Sequence, residues 1–307
     1  MNLNIISKLI LFFSLSFIII LNELLIKLNN NPKNSLNILK KQCYITFENN
    51  GAKIIHLIIT RFMIEFYEWN GFPKNLYNRN YINNGIRVMK KYLLPSLDSQ
   101  SCKNFIWILM IGEKINKTKV ESLINFHYSF EYKILYQKSV DDFIKKITEN
   151  YDVLITTRID YDDQIYYDAV NDVRKAINID KPMILFGYNR GVYYYEYNKK
   201  YYEFERTFKN DGVMSIFASL ITTLKKVNDT YTIYSLGDHT VFRKTLLNQY
   251  KSYGIKTLDY EPSIFDSGTP KFIYVRQKFS GSNTDYYYIP EHLKEVKINL
   301  SNFFGKF

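Results

Sequence analysis

Three carboxylates crowd into four positions of the sequence, at Asp160, Asp162 and Asp163. If the chain is still extended at Asp160, residues i and i+2 project to the same side, so Asp160 and Asp162 converge with Asp163 beside them. Converging carboxylates repel one another at neutral pH unless a positive charge lies between them. Mg²⁺ and Mn²⁺ prefer oxygen ligands, and Mg²⁺ often takes only one or two carboxylates plus substrate phosphates. The spacing therefore predicts a Mg²⁺ or Mn²⁺ site at these aspartates, with Asp162 as the main ligand.

The flanking sequence places the carboxylates at the end of a buried strand. Residues Val153–Ile155 are a continuous apolar run, typical of a strand buried on both faces of a parallel sheet. Asp is a poor strand former, so the strand should stop near Ile159. From Gln164 the apolar residues recur at helical spacing, which puts the aspartates in a strand-to-helix turn, where open α/β sheets bind ligands. The simpler alternative is an acidic turn in which Asp162 or Asp163 caps the following helix.

Strands and helices alternate over about 110 residues before this turn. The apolar runs predict strands, and the segments between them have helical spacing. Such alternation predicts a doubly wound, mostly parallel sheet flanked by helices. The predicted strands are 53–60, 105–112, 131–137 and 152–160, and the predicted helices are 84–100, 117–127 and 141–150.

The sequence after the acidic turn is rich in tyrosine. Gly187, Asn189 and Gly191 are turn residues, and the segment 181–206 predicts a β-hairpin or meander. Its tyrosines could stack on sugar faces, although ordinary strand residues are the alternative. Further along, the spacing predicts a helix over 213–228 and another after an N-cap near Asp238.

Composition excludes several classes of protein. The 41 Lys and Arg against 30 Asp and Glu give a net charge of +11, but the lysines are scattered and form no dense block. Nucleic-acid binding is therefore not expected. The two cysteines and four histidines show no metal-ligand spacing, so a zinc hydrolase is excluded.

Several segments, in order, resemble the putative rhamnosyl transferase family, glycosyltransferases of GT-A-like fold. "TTRIDYDD" resembles the family's acidic core, and "IITRF" resembles its first strand with a Thr-Arg pair. "LPSLDSQSCKNFIWIL" resembles the step from helix to second strand, and "GYNRGVYYY" a Gly-rich turn after the acidic motif. "GDHT" and "FIYVRQKFSGSN" resemble later segments, so the likeness covers roughly residues 54–284. It implies an α/β GT-A-like fold, Rossmann-like, with a β-rich acceptor half.

The resemblance also implies an activity and a set of site residues. The activity is metal-dependent transfer of a sugar, with rhamnose as one candidate, from a nucleotide-sugar donor to a glycan or other hydroxyl acceptor. Glu113 stands where such transferases often carry an Asp that holds the base. Arg61 and Arg158 could contact phosphate or base, and the alternative for each is an ion pair with a nearby aspartate. The implied substrate-binding residues are Thr60, Arg61, Arg158, Asp160, Gly187 and Tyr188.

The acceptor hydroxyl needs a general base if the reaction inverts. Asp238 is the first candidate and His239 the second; Asp238 as a plain helix N-cap, and His239 as a metal ligand, are the alternatives. Two other classes stay open. One is a metal-dependent nuclease or phosphotransferase, which also uses clustered carboxylates. The other is a non-catalytic carbohydrate-binding membrane protein.

The N-terminus has a composition of its own. The run Leu9–Leu21 is apolar, and Lys8 precedes it. No small-residue cleavage pattern follows, so we predict an uncleaved signal anchor and a single-pass membrane protein; a soluble amphipathic helix is the alternative. The predicted organisation is an anchor or apolar helix over 1–28, a linker over 29–52, a glycosyltransferase domain over 53–290 and a C-terminal tail over 291–307.

Overall fold

Apolar runs rich in β-branched residues form the centre of the sheet in the computed structural model of the chain. The structure describes residues 51–63, 79–125, 127–205, 217–227, 229–236, 242–252, 263–265, 269–276, 289, 293–300 and 303. The described strands are β1 Ile54–Phe62, β2 Ile106–Ile111, β3 Glu131–Tyr136, β4 Val153–Arg158, β5 Gln164–Ile165, β6 Met183–Tyr188, β7 Arg190–Tyr195, β8 Lys200–Glu205, β9 Ala218–Thr223, β10 Ser263–Phe265, β11 Phe272–Arg276 and β12 Lys294–Val296.

The helices lie between these strands. Asn116 caps α3 by accepting a hydrogen bond from the Lys119 N–H at 3.0 Å. In α4, Asp141 stands in the first turn and Lys145 in the last, which matches the helix dipole. The described helices are α1 Arg79–Lys91, α2 Leu93–Asp98, α3 Lys117–Ile124, α4 Val140–Thr148, α5 Ala169–Lys175 and α6 Phe242–Ser252, with 3₁₀ turns at Gln137–Ser139, Leu224–Lys226 and Ile233–Leu236.

The described strands make two sheets. The larger has the order β10-β6-β9-β4-β1-β2-β3, and the smaller has the order β12-β8-β7-β11-β5. In the larger sheet all neighbouring pairs are parallel except those that β9 makes with β4 and β6. The fold is therefore mixed α/β with a mostly parallel sheet, as the alternation of elements predicted.

One face of the central strands carries an aliphatic core. Ile55, Leu57 and Ile59 of β1 pack with Val140 and Ile144 of α4, and all are buried. The chain passes from the larger to the smaller sheet three times: through the acidic turn between β4 and β5, at Asn189 between β6 and β7, and between β10 and β11. The first two crossings lie at the carboxyl edge of the larger sheet.

Three predicted helices differ from the structure. The prediction over 213–228 is wrong, because 218–223 is strand β9, buried along its whole length between two strands. A short continuous apolar run cannot be assigned to helix or strand from its period alone. The helix expected over 84–100 is two helices that break near Tyr92, since Pro95 lacks the N–H that would continue the first one. The helix expected from Gln164 begins only at Ala169, after β5.

No helix within the described residues is long and apolar enough to cross a membrane. The predicted anchor over 1–28 lies outside the described residues.

Candidate active site

The carboxyl ends of β1 and β4 bring an arginine pair and a carboxylate together. Ile59 pairs with Arg158 in the parallel register, and the Ile159 N–H donates to the Ile59 carbonyl at 3.3 Å. Arg158 Nη2 lies 3.3 Å from Asp160 Oδ2. The Arg158 side chain is only 7% exposed, whereas that of Asp160 is 32% exposed. The structure thus shows the ion-pair alternative for Arg158, and Asp160 is the carboxylate of the turn that a ligand can most easily reach.

Tyr234 completes this group, and sequence reasoning missed it. Its hydroxyl donates to the Ile59 carbonyl at 3.0 Å, and the Arg61 guanidinium carbon lies 5.2 Å from the centre of its ring. Burial raises the pKa of Tyr234 to about 12, while Arg61 and Arg158 act to lower it and Asp160 to raise it. These four residues therefore form one electrostatic cluster.

Long-range contacts place Tyr234 there. It belongs to the 3₁₀ turn Ile233–Leu236, whose first N–H donates to Thr156 Oγ1 at 2.7 Å. The turn is thereby held against β4. No spacing in the sequence links this tyrosine to β1 or β4, so only the fold could reveal it.

Asp163 is buried and ties the acidic turn to the smaller sheet. Its N–H donates to the Asp160 carbonyl at 3.2 Å, and its Oδ1 accepts from the Val275 N–H of β11 at 3.2 Å. Its Oδ2 is buried and has no hydrogen-bond partner among the described residues. Burial, followed by the charges of Asp162 and Asp160, raises the pKa of Asp163 well above its usual value, against the opposing effects of the Val275 N–H and Arg276.

Asp162 is also buried, at 5% exposure. Its charge acts to raise the pKa of Tyr81 on α1 and of Tyr161, in both cases after burial as the larger cause. Tyr161 in turn packs edge-on against Phe62 at the end of β1, with ring centres 5.4 Å apart. Asp162 therefore lies near Tyr81 and Tyr161, beside the end of β1.

The predicted metal site can be compared with this geometry. Within the described residues, no group of three or more His, Cys, Asp or Glu side chains is placed to hold a metal ion. A cage of Asp160, Asp162 and Asp163 is therefore not assembled here. The chemistry of the turn still fits a cation held by one or two of these carboxylates plus ligand oxygens. Asp163 Oδ2 is buried without a hydrogen-bond partner among the described residues, and burial and the charges of Asp162 and Asp160 disfavour the ionised form of Asp163. The metal stays a prediction.

Thr60 and Gly187, both predicted to bind substrate, belong to the framework of the larger sheet. Thr60 is fully buried, and its Oγ1 accepts from Trp107 Nε1 at 3.0 Å. Gly187 lies on β6 and pairs with Ala218 of β9. Of the predicted Thr-Arg pair, Arg61 is the more exposed member. A substrate-binding role for Thr60 and Gly187 stays a prediction.

Tyr188, the third such residue, belongs to a buried ion-pair network. Its hydroxyl donates to Asp172 Oδ2 at 3.1 Å, and its ring stacks on Phe217. Lys271 Nζ lies 3.7 Å from the same carboxylate oxygen and 3.5 Å from the centre of the Tyr166 ring. Burial lowers the pKa of Lys271, and the carboxylate of Asp172 opposes that effect. The network joins α5 and β6 to the start of β11.

The tyrosines of β7 and β8 do not form an open platform. Tyr193, Tyr195 and Tyr202 are 8%, 2% and 8% exposed, and their rings contact one another. For these three tyrosines the structure shows the alternative of ordinary, buried strand residues. Tyr197, in the turn between the strands, is 39% exposed.

Two further predictions concern Glu113 and the candidate catalytic residues. Glu113 accepts a hydrogen bond from the Lys138 N–H at 3.1 Å and forms an ion pair with Lys138 Nζ at 2.9 Å. The predicted catalytic residues Asp238 and His239 lie outside the described residues.

Comparison with known proteins identifies the family. The family described as putative rhamnosyl transferase matches residues 58–246, well over half of the chain. The chain belongs to this family. The match includes Ile58–Phe62 of β1, the acidic turn, β9 and Tyr234, so the arginine–aspartate cluster lies within the region that the family model matches. Family membership supports a transferase activity, and none of the curated proteins compared with the chain matches it.

Solved structures show only distant likenesses. A putative glucose-1-phosphate thymidylyltransferase from Bacillus anthracis is 12% identical, with 77% of this chain and 96% of that one covered and a TM-score of 0.39. The inositol-1-phosphate CTP transferase from T. maritima is also 12% identical, over 73% and 86% of the two chains, with a TM-score of 0.30. Mouse xyloside xylosyltransferase 1 is 9% identical, over 66% and 77%, with a TM-score of 0.32. At these TM-scores the likenesses support no argument about this chain.

Proposed function

We propose that this chain is a glycosyltransferase that moves a sugar from a nucleotide-sugar donor to a hydroxyl of a glycan or another acceptor. Rhamnose is one candidate sugar. The observation that carries the proposal is the cluster of Arg61, Arg158, Asp160 and Tyr234 at the carboxyl ends of two adjacent parallel strands. Membership in the putative rhamnosyl transferase family supports the same reaction class.

The arginines suit the diphosphate of such a donor. Guanidinium groups bind phosphate oxygens through paired, charge-assisted hydrogen bonds. The 3.3 Å contact between Arg158 and Asp160 is longer than the about 2.7–2.9 Å usual for such bonds, so a phosphate oxygen can compete for this guanidinium. As the nucleoside diphosphate departs, its negative charge grows, and fixed positive groups stabilise that charge without reorganisation. Tyr234 would keep Arg61 in place at the end of β1.

The carboxylates would hold Mg²⁺ or Mn²⁺. We assign this role to Asp162, with Asp160 or Asp163 beside it, because the turn gathers negative charge that is only partly offset by neighbouring groups. Bound there, a divalent cation would act as a Lewis acid toward the departing diphosphate. Asp160, the most exposed of the three, is also placed to contact the donor directly.

The acceptor side is assigned from the sequence. We propose that Asp238 takes the proton of the incoming hydroxyl, with His239 as the second candidate. Tyr234 lies four residues before Asp238, and its turn is held against β4 by the bond to Thr156. The described residues that precede both candidates, up to Leu236, therefore include a member of the arginine cluster.

A donor screen tests the proposal. The full-length chain would be offered a panel of sugar nucleotides with Mn²⁺, with Mg²⁺ and with a chelator, and release of the nucleoside diphosphate would be measured. Asp162→Asn should lower turnover by about 10²-fold or more. Asp141→Asn, an exposed position on α4, is the matched control and should keep full turnover.

The outcomes separate the parts of the proposal. No release from any donor would overturn the glycosyltransferase assignment. Full turnover in chelator, or in Asp162→Asn, would overturn the metal assignment and leave the reaction class standing.

We also propose that residues 1–28 anchor the chain in a membrane as a single span. The apolar run Leu9–Leu21 supports this. Extended to about Leu28, the segment has the length of about 20 residues that a transmembrane helix requires. Extraction of the full-length chain from membranes by alkaline buffer without detergent would contradict it.

A further inference from the structure

Asn189 lies where the chain leaves β6 of the larger sheet and enters β7 of the smaller one. Its side chain is 9% exposed, and its Oδ1 is buried and accepts no hydrogen bond from the residues that the structure describes. Buried polar atoms in folded proteins nearly always have a partner. An acceptor without one carries the unrecovered cost of removing it from water. Asn189 Oδ1 therefore lacks a hydrogen-bond donor among the described residues.

The sheet register places Asn189 at the same edge as the acidic turn. Arg158 of β4 and Gly187 of β6 both pair with Ala218 of β9, so the three residues form one row across the sheet. Asp160 and Asn189 each follow this row by two residues. Neighbouring strands lie about 4.8 Å apart, so the two ends of the row are about 10 Å apart. A single ligand can reach from one to the other.

The chemistry of the amide oxygen identifies the missing group. Phosphate and carboxylate oxygens only accept hydrogen bonds, so neither can satisfy Asn189 Oδ1. A sugar hydroxyl both donates and accepts, and it therefore complements the oxygen and the NH₂ of an amide. The arginines at the ends of β1 and β4 suit phosphate, whereas Asn189, two strands further along from β4, suits hydroxyl groups.

We propose that Asn189 Oδ1 accepts a hydrogen bond from one hydroxyl group of the donor sugar and that this residue helps to select the sugar. The inference rests on the proposed glycosyltransferase function and extends it to donor specificity. A site that hydrogen-bonds a substrate hydroxyl discriminates against an analogue that lacks it, because the buried protein group is then left unpaired. Among the described residues, Asn189 Oδ1 has no hydrogen-bond partner.

The first test is thermal stability, which separates ligand binding from a structural role. An apolar side chain of similar shape removes the buried amide oxygen that has no partner, and with it the unrecovered cost of taking that oxygen out of water. Asn189→Leu should therefore leave the Tm unchanged or raise it. Asn198 is the matched control, because its Nδ2 donates to Tyr202 at 3.2 Å and its Oδ1 accepts from the Lys200 N–H at 3.0 Å. Asn198→Leu should lower the Tm by about 2–4 °C.

The second test is coupling between the residue and one substrate hydroxyl. With the sugar nucleotide that the wild-type chain uses, Asn189→Leu should lower kcat/KM by about 10-fold. Among deoxy analogues of that donor, one should lose a similar factor with the wild-type chain and lose nothing further with Asn189→Leu. Asn198→Leu should show additive losses with every analogue.

Three outcomes would overturn the assignment of Asn189, each for a different reason. A Tm of Asn189→Leu lowered as much as that of Asn198→Leu would show a structural role and overturn the inference. Turnover by the wild-type chain with additive losses for every deoxy analogue would overturn the inference and leave the glycosyltransferase standing. Release of nucleoside diphosphate from no donor at all would overturn the proposed function, and the assignment of Asn189 would fall with it.

Discussion

The buried imidazole of His56 should make the fold lose stability in weakly acidic solution. His56 lies on β1 at 1% exposure, and its Nε2 is 2.7 Å from Thr157 Oγ1, which is itself 2.7 Å from Ser219 Oγ. Its Nδ1 is buried without a hydrogen-bond partner among the described residues. Burial, and then the positive charge of Arg174, lower the pKa of His56 well below 6.5.

The direction and size of the effect follow from that pKa. Above pH 6.5, His56 is neutral in both states and costs nothing. Below it, the unfolded chain takes up a proton and the folded chain does not, so the free energy of unfolding falls as the pH drops toward the folded pKa. If His56 stays neutral in the fold, lowering the pH from about 7.5 to about 5.5 costs about 1.4 kcal/mol from this residue.

Urea denaturation of the full-length chain at a series of pH values measures this loss. His56→Gln keeps a polar side chain in the strand but cannot take up a proton in this range. Its free energy of unfolding should therefore fall less than that of the wild-type chain between about pH 7.5 and about pH 5.5, by about 1.4 kcal/mol. His127→Gln, at an exposed position, is the control and should follow the wild-type curve.

The test compares how steeply the free energy of unfolding of each chain falls with pH, so a difference in absolute stability between the wild-type chain and the variant does not affect it. Parallel curves for the wild-type chain and His56→Gln would refute the reasoning, because the acid sensitivity would then come from other groups. A flattened curve for His127→Gln would do the same.

Substitutions at three further positions have expected outcomes. Tyr234→Phe should cost about 0.5–1.5 kcal/mol of unfolding free energy in urea, because it removes one hydrogen bond to the β1 backbone. Tyr234→Leu should in addition raise the KM for the donor, because the ring beside Arg61 is lost. An unchanged KM would argue against that role of the ring. Gly191→Ala should cost about 1–3 kcal/mol, because its Cβ would stand 2.4 Å from the Phe272 ring; equal urea midpoints would contradict this packing. Asp238→Asn should lower transfer by about 10²-fold or more and leave donor binding intact, whereas lost donor binding with retained transfer would place Asp238 in the donor site.

The sequence predicted the part of the fold that is determined by local patterns of apolar and polar residues. Val153–Ile155 is a continuous apolar run, and such a run next to poor strand formers indicates a buried strand that ends at a polar turn. The alternation of such runs with helical segments indicated a mostly parallel sheet, and it placed Asp160 at the carboxyl edge. The scattered lysines argued against nucleic-acid binding, and the cysteines and histidines, which lack metal-ligand spacing, argued against a zinc hydrolase. These inferences need only the periods of the side chains along the chain.

Only the tertiary structure decided which residues meet at that edge. Tyr234 reaches the end of β1 across 175 positions of sequence, and Asp163 reaches the Val275 N–H across 112. The segment 218–223 became a strand because two strands offered it hydrogen bonds on both sides, which its own pattern does not show. Burial likewise raised the pKa of Asp163 and left Asn189 Oδ1 without a hydrogen-bond partner among the described residues. Both depend on what surrounds a side chain, and the surroundings come from distant segments whose pairing no local period encodes.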